Sequence, residues 1–445
     1  MCAAKAPDRK RIAVIGGGWA GCAAAVELAR LGHQVKLFEA ARTLGGRARC
    51  VEMEGTILDN GQHILLGAYS ETLRLLRLIG IRPEQAMLRL PLQMRHPQGS
   101  GGMEFVAPRL PAPFHMLAGL LRARGLATQD RLALARFMST ARWMGWQLHD
   151  DCSVSELLDR FDQTDRLVQL MWRPLCIAAL NTPPERASAK VFLNVLRDSL
   201  GGRRAASDML IPRVDLTSLF PTDARAFIEA HGGSVQTGAA VKEMRKRDDR
   251  WEISAADTED ECDGFDGIVI ATPPAAAATL LREWIDVSPL EALTYEPIST
   301  CYLQYGPDVG LPEPFFALLD DPSAGEWGQF VFDRAQLDPK QAGLLSVVIS
   351  ASSEAIACGH DALATAVAAQ LAKVFRQPRL MHPQWTKVIS EKRATFSCAP
   401  ALVRPGTSIG IDNLALAGDY TASDYPATLE SAVRSGVQAA RSLVS

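Results

Sequence analysis

The sequence predicts an α/β fold in which one parallel sheet is assembled from three separated stretches of chain. A second, α+β domain with a helical insert lies between those stretches. Three observations carry this. Residues 11–39 read strand, glycine-rich turn, helix, strand. A buried-type strand, Gly267 to Ala271, recurs in the middle of the chain. Another, Leu414 to Ala417, sits near the end, ahead of a helix from about Ala427 to Val444.

In the first stretch, Ile12-Ala13-Val14-Ile15 is an uninterrupted apolar run, as expected of a strand covered on both faces. Ala20 to Leu31 places Ala24, Leu28 and Leu31 on one helical side, Gly32-His33 stops it, and Val35 to Phe38 is the next strand. A right-handed crossover makes the two strands parallel. A helix is expected near 70–79. Composition shifts to Pro and Gly over 97–113, which reads as a boundary, and helices with little strand signal fill 114–200. Ala224 to His231 reads as a helix, Gly232-Gly233 as its stop and Ser234 to Gln236 as a strand. Strand-like alternation covers 297–395, with a helix near 360–375. The expected division is therefore a dinucleotide-binding domain from 1–96, 207–285 and 401–445, and a substrate domain from 97–206 and 286–400, the last of these a mixed sheet.

With 445 residues and a formal net charge of −3, the chain lacks the basic field of a nucleic-acid binder. Nine cysteines stand singly with no CxxC pair, so neither a disulfide framework nor a zinc site is expected. No metal site is anticipated, and a reducing, cytoplasmic compartment fits. Met1 to Arg11 is short and basic, but glycines break the apolar run behind it, so no secretory leader is read there. No run of about 18 apolar residues suggests a spanning helix.

The chemistry begins at Gly16-Gly17-Gly18-Trp19-Ala20-Gly21, which follows a strand and opens a helix. Gly16 permits the tight turn, Gly18 lets backbone approach a pyrophosphate, and Gly21 lets helix and strand pack closely. The first N–H groups of the helix, from Trp19 and Ala20 on, face the phosphates. Glu39, 18 residues after Gly21, ends the second strand, where a carboxylate can accept hydrogen bonds from ribose hydroxyls. Leu44-Gly45-Gly46-Arg47 suits a second backbone approach to the same pyrophosphate, with Arg47 or Arg49 supplying charge-assisted bonds. Gly232-Gly233 with Val235 and Val241 offers strand backbone to an adenine; an ordinary helix stop before a strand fits equally well. Leu416-Ala417-Gly418-Asp419 forms a closing element near the C-terminus. Asp419 there can accept from a ribityl hydroxyl, and Thr428-Leu429 begin a helix whose positive end suits a reduced flavin ring. An NAD-only site has no use for that element, so the dinucleotide expected is FAD. No second GxGxxG is evident for a nicotinamide cofactor.

Val14-Ile15-Gly16-Gly17-Gly18, Gly45-Gly46-Arg47 and Leu416-Ala417-Gly418-Asp419 resemble the FAD-dependent amine oxidase and phytoene desaturase superfamily. A narrower resemblance lies in three further stretches. Asp59-Asn60-Gly61-Gln62-His63 is similar to a segment of squalene-associated and carotenoid desaturases. The Trp172 to Pro183 stretch, Trp-Arg-Pro-Leu-Cys-Ile-Ala-Ala-Leu-Asn-Thr-Pro, resembles the hydroxysqualene dehydroxylases of bacterial hopanoid synthesis, as does Thr421 to Ala432. The resemblance implies a reductive reaction: hydroxysqualene and reduced FAD give squalene, water and oxidised FAD. It also implies an apolar isoprenoid substrate and squalene- or presqualene-synthase-like enzymes as partners. Hydride delivery from flavin N5 to the allylic carbon would need a proton at the leaving oxygen. The polar residues open to that role are His63, Gln62, Arg173, Asp424 and Tyr425; Gln62 and His63 equally suit flavin positioning, Arg173 an ion pair, and Asp424 a helix cap. Oxidative polyene desaturation and amine oxidation are the alternatives within the superfamily. Prenyl-binding escort proteins share the fold without redox chemistry, and all three FAD elements argue against them.

Residues 114–148 mix Phe114, Met116, Leu117, Leu120 and Leu121 with Arg122, Arg124, Arg131, Arg136 and Arg142, then Trp143 and Trp146. Two readings fit: a peripheral membrane contact with interfacial tryptophans, or an amphipathic helix pair facing a core with solvated arginines.

Overall fold

The structure, a computed structural model, describes residues 9–112, 114–255 and 262–444. The N-terminal residues 1–8, with the basic start and Cys2, lie outside them. Strand β1 (Arg11–Ile15), helix α1 (Trp19–Arg30) and strand β2 (Gln34–Glu39) open the chain. The sheet they belong to has the order Ser234–Thr237, β2, β1, Gly267–Ile270, Leu414–Leu416, every neighbouring pair parallel. The three separated stretches thus meet in one sheet, as the sequence predicts.

Alternation along these strands divides the interior in two. Ile12, Val14, Val35, Leu37, Val269 and Ala415 face a core shared with α1 and the C-terminal helix Leu429–Ser442. Ala13, Ile15, Phe38, Ile268, Ile270 and Leu416 face the larger core, which continues into the helical insert. The first core is drawn tight by small residues. A Cβ on Gly436 of the C-terminal helix would collide with the Ala20 carbonyl oxygen of α1. A buried carboxylate then ties the layer together: Glu27 of α1 is held by Arg30, by Arg74 of the helix Ser70–Leu78 and by Arg441 of the C-terminal helix. Burial alone would raise that carboxyl, but hydrogen bonds from the three guanidiniums bring it down to about 2.

The second domain rests on a five-stranded sheet ordered Phe315–Ala317, Phe330–Asp333, Leu344–Ser350, Tyr295–Gln304, Trp385–Phe396. It is antiparallel throughout, not mixed as the sequence reading expected. No α-helical crossover lies between Phe315–Ala317, Phe330–Asp333 and Leu344–Ser350, which pair as antiparallel neighbours in chain order. The connection from Leu344–Ser350 to Trp385–Phe396 carries the helix His360–Phe375 and skips the Tyr295–Gln304 position, and the one from Tyr295–Gln304 to Phe315–Ala317 passes over two.

The Pro/Gly boundary at 96/97 also needs correction. It is the turn of a hairpin: Gln93–Arg95 pairs with Glu104–Val106, and Gly101 and Gly102 adopt φ of 84° and 61°. Beyond it come the helices Phe114–Arg122 and Thr128–Trp143, a π-helical turn Val168–Trp172, and the helices Arg173–Leu180 and Ala189–Leu200. The π turn has a local cause. Pro174 has no N–H for the Leu170 carbonyl, and the buried His96 imidazole supplies the missing donor, Nε2 to Leu170 O at 2.9 Å. No helix among the described residues is long and apolar enough to cross a membrane.

Candidate functional site: a dinucleotide cradle facing a buried polar segment

The glycine turn between β1 and α1 is shaped by close approaches. Gly16 has φ of 106°, and a Cβ there would lie 2.7 Å from the Ala271 carbonyl carbon. A Cβ on Gly21 would overlap the Gly16 carbonyl oxygen. Gly18 differs: its φ of −70° suits any residue, and a Cβ on it would meet only the Gly46 Cα, 3.8 Å away. The space before the helix is therefore open. Gly18 and Gly45 form an isolated parallel bridge, so both glycine pairs border that space. No side chain caps the first turn of α1, and its N–H groups remain available to an anion. The indole of Trp19 points away into the core, donating to the Ala48 carbonyl at 3.0 Å.

Glu39 ends β2 beside this turn. Its Oε2 accepts from the Gly17 N–H at 2.6 Å and its Oε1 from the Ala41 N–H at 2.7 Å. Each carboxylate oxygen keeps a further lone pair for a ribose hydroxyl. The Ala239 N–H bonds the Glu39 carbonyl at 2.9 Å, which brings Val241, two residues on, alongside the same strand end. These residues fit a dinucleotide: open glycine backbone, free helix N–H groups and a carboxylate in the expected places.

Arg47 is placed differently from the pyrophosphate role read in the sequence. Its guanidinium donates to Asp419 at 2.6 Å and to the Ala394 carbonyl at 2.6 Å. A half-buried cation is drawn to a carboxylate that is itself buried, and so the second glycine block is clamped to the closing element. Arg49 is turned to the Gly46 carbonyl at 2.9 Å. Asn60, given no role in the sequence reading, donates to the Arg47 carbonyl at 3.0 Å. Thr428 caps the C-terminal helix, accepting from the Ser431 N–H at 3.1 Å, and Leu429 is its first residue. Replacing Asp419 by Ala frees Arg47 and opens the junction. We expect about a tenfold or larger loss of flavin affinity with little change in melting midpoint; a flavin titration showing unchanged affinity would remove Asp419 from the cofactor site.

The segment Asp59–His63 runs from the first domain onto the antiparallel sheet. Leu216 N–H donates to the Asp59 carboxylate at 2.9 Å, and burial pushes that carboxyl up to about 6. Arg334 donates to Gln62 Oε1 at 2.6 Å. His63 Nδ1 lies 2.9 Å from the Gly61 carbonyl. A carbonyl only accepts, so Nδ1 carries the proton. Burial, and then the charge of Arg47, hold the imidazole below its ordinary pKa, against the opposing pull of the Gly61 carbonyl. The neutral ring therefore presents Nε2 as an acceptor. Thr300 of the sheet borders the same space beside Gly61, where a Cβ would meet the His63 ring at 3.7 Å and the Thr300 hydroxyl at 4.0 Å; that hydroxyl is buried and without a hydrogen-bond partner among the described residues. Thr300 and Arg334 carry no local sequence signal; only the tertiary fold brings them here.

The remaining sequence candidates lie elsewhere. Arg173 pairs with Asp320 at 3.2 Å and Glu185 at 3.7 Å. Tyr425 donates to Asp198, and its ring lies under Arg434. Asp424 is exposed and caps no helix; its backbone carbonyl accepts from Asn194 at 3.2 Å. The Trp172–Pro183 stretch acts as a latch between helix and sheet. Asn181, at φ 47°, donates to the Glu296 carbonyl and the Thr395 hydroxyl, and accepts from the Ala351 N–H.

The fold and cradle define a flavin-dependent oxidoreductase, and comparison with known proteins agrees. The model of the family described as flavin containing amine oxidoreductase matches residues 19–444. The chain belongs to that family and is an FAD-dependent oxidoreductase of the carotenoid and squalene desaturase superfamily. Among its relatives is a hydroxysqualene dehydroxylase of Rhodopseudomonas palustris, 31% identical, with 97% of each chain covered. One of the same name from Sinorhizobium fredii is 28% identical, again over 97% of each. A zeta-carotene desaturase of Synechocystis is 25% identical, over 98% of this chain and 97% of its own. An oxidoreductase from Methanosarcina mazei shares the fold, with a TM-score of 0.72 at 17% identity, covering 97% of this chain and 100% of the other.

Proposed function

We propose that the enzyme removes the hydroxyl of hydroxysqualene reductively, giving squalene. The observation that carries this reading is the end-to-end likeness to relatives named for that reaction, with the Asp59–His63 and Trp172–Pro183 stretches both present. When bound, reduced FAD supplies the hydride that takes the place of the hydroxyl, and the oxygen leaves as water.

The chain's own contribution is positioning. Neutral His63 has spent its proton on the Gly61 carbonyl, so Nε2 accepts from a hydroxyl or a water. The Thr300 hydroxyl supplies a donor beside the same glycine, Gly61. Gln62, fixed by Arg334, holds the segment still. Around these few polar groups the larger core is apolar, with Phe315, Phe330 and Phe332 stacked on the sheet, which suits a polyene chain and excludes water. Amine oxidation fits less well, because Tyr425 is engaged by Asp198 and Arg434 and offers no aromatic cage. Oxidative desaturation of a related polyene is the second reading, favoured by the likeness to a zeta-carotene desaturase.

An anaerobic experiment separates the two. Dithionite-reduced enzyme mixed with hydroxysqualene should return to the oxidised flavin spectrum while squalene forms in equal amount by mass spectrometry. Reduced flavin that persists with no squalene formed would reject the dehydroxylase reading. Bleaching of oxidised enzyme by a polyene would favour the desaturase.

A further inference from the structure

We infer that the helix Phe114–Arg122 is a docking surface for an anionic lipid bilayer. The helix is two-faced. His115, Gly119 and Leu120 point inward and are buried. Phe114, Leu117 and Leu121, at i, i+3 and i+7, point outward and are 60%, 53% and 65% exposed. Leu110, just before the helix, is exposed as well. Ten large apolar residues are exposed among the described residues, and six of them, Leu110, Phe114, Leu117, Leu121, Leu132 and Trp143, fall within residues 110–143. Scattered singly they would be ordinary; Phe114, Leu117 and Leu121 share one helical face and form a ridge.

Charge decides the partner. Between Glu104 and Asp150 the sequence holds six arginines, no lysine and one acid, Asp130. Asp130 is buried and occupied by the Ala127 N–H and the Thr164 hydroxyl. The stretch is thus strongly cationic in a chain whose net charge is −3. Arg109, Arg122 and Arg124 flank the apolar ridge and are exposed. An apolar ridge bordered by guanidiniums matches a bilayer interface, where side chains enter the acyl boundary and arginines meet headgroup phosphates. The structure also corrects the sequence reading: Trp146 is buried at 6% exposure, its backbone at φ 60° turning it into the core, so Trp143 is the exposed tryptophan of the pair.

Vesicle flotation of the FAD-loaded enzyme tests this without substrate, so its failure is distinct from failure of the dehydroxylase reading. Wild type should float with phosphatidylcholine–phosphatidylglycerol vesicles and bind phosphatidylcholine alone about tenfold more weakly. The triple variant F114Q/L117Q/L121Q should lose about tenfold or more of the binding while keeping its flavin content and melting midpoint. R109Q/R122Q/R124Q should lose the preference for anionic vesicles. Wild type that stays unbound, or a triple variant that floats as well as wild type, overturns the proposal. So does a concentration-dependent dimer that the triple variant abolishes without any vesicle binding, which would assign the ridge to a second copy of the chain.

Discussion

Gly18→Ala should give a folded protein that no longer holds FAD. The φ of −70° accommodates alanine, and the added methyl meets only the Gly46 Cα at 3.8 Å, so nothing in the chain resists it. The methyl occupies the space before α1 that a pyrophosphate needs. The purified variant should be colourless, with flavin affinity reduced by about a hundredfold or more, roughly 3 kcal/mol, and with the circular dichroism of the wild-type apoprotein. Gly21→Ala should fail in the opposite order. There the methyl overlaps the Gly16 carbonyl oxygen, so α1 must shift away from β1, and that helix also packs on Gly436 through Ala20. Overpacking of this kind costs about 1–3 kcal/mol, more when backbone is the obstacle. Gly21→Ala should therefore lower apoprotein stability before any ligand is considered. If Gly18→Ala is yellow, or if the two variants melt alike without FAD, the division of labour between these glycines is wrong.

These two positions show why the first domain was legible. Gly16, Gly18 and Gly21 act through local geometry, and geometry of that kind leaves a spacing in the sequence. The same holds for β1 and the strands at 267–270 and 414–416, whose apolar runs record burial on both faces. What escaped notice depends on partners far away. Arg47 was recognisable as part of a glycine block, yet its partner Asp419 lies 372 residues on, and nothing local says that the pair joins the two blocks. Thr300 sits in an unremarkable strand, and its unpartnered hydroxyl matters only because Gly61 faces it. The hairpin at 93–106 reads as a domain boundary in the sequence because turn-forming Pro and Gly look alike in a linker and in a tight turn. The burial of Trp146 is hidden for a related reason: exposure follows from backbone direction, and the consecutive left-handed residues Gly145 and Trp146, at φ 64° and 60°, set it.

The Trp172–Pro183 stretch was legible only as a resemblance, and its structure gives it a physical role that can be tested. Asn181→Ala should be among the most destabilising single substitutions in the second domain. The residue is 4% exposed and ends the helix Arg173–Leu180 at φ 47°. Its amide makes three bonds, to the Glu296 carbonyl at 3.1 Å, the Thr395 hydroxyl at 2.9 Å and the Ala351 N–H at 2.8 Å. Alanine would leave those partners unpaired and would itself be strained in the left-handed region. Orphaned buried groups cost about 1–3 kcal/mol each, and partial access to water brings the expected total to roughly 3–5 kcal/mol. Asn181→Gly removes the strain and keeps the loss of bonds, so it should recover about 1 kcal/mol and no more. Thr182 reinforces the latch from the next position, accepting from the Cys398 N–H at 3.0 Å. Because this latch joins the helical insert to the antiparallel sheet and not to the glycine cradle, Asn181→Ala should retain FAD below its lowered melting midpoint. Its turnover should fall, as the insert loosens over the sheet that carries Thr300. A variant that melts like wild type, or that sheds its flavin before it melts, would show that the stretch serves the cofactor and not the junction.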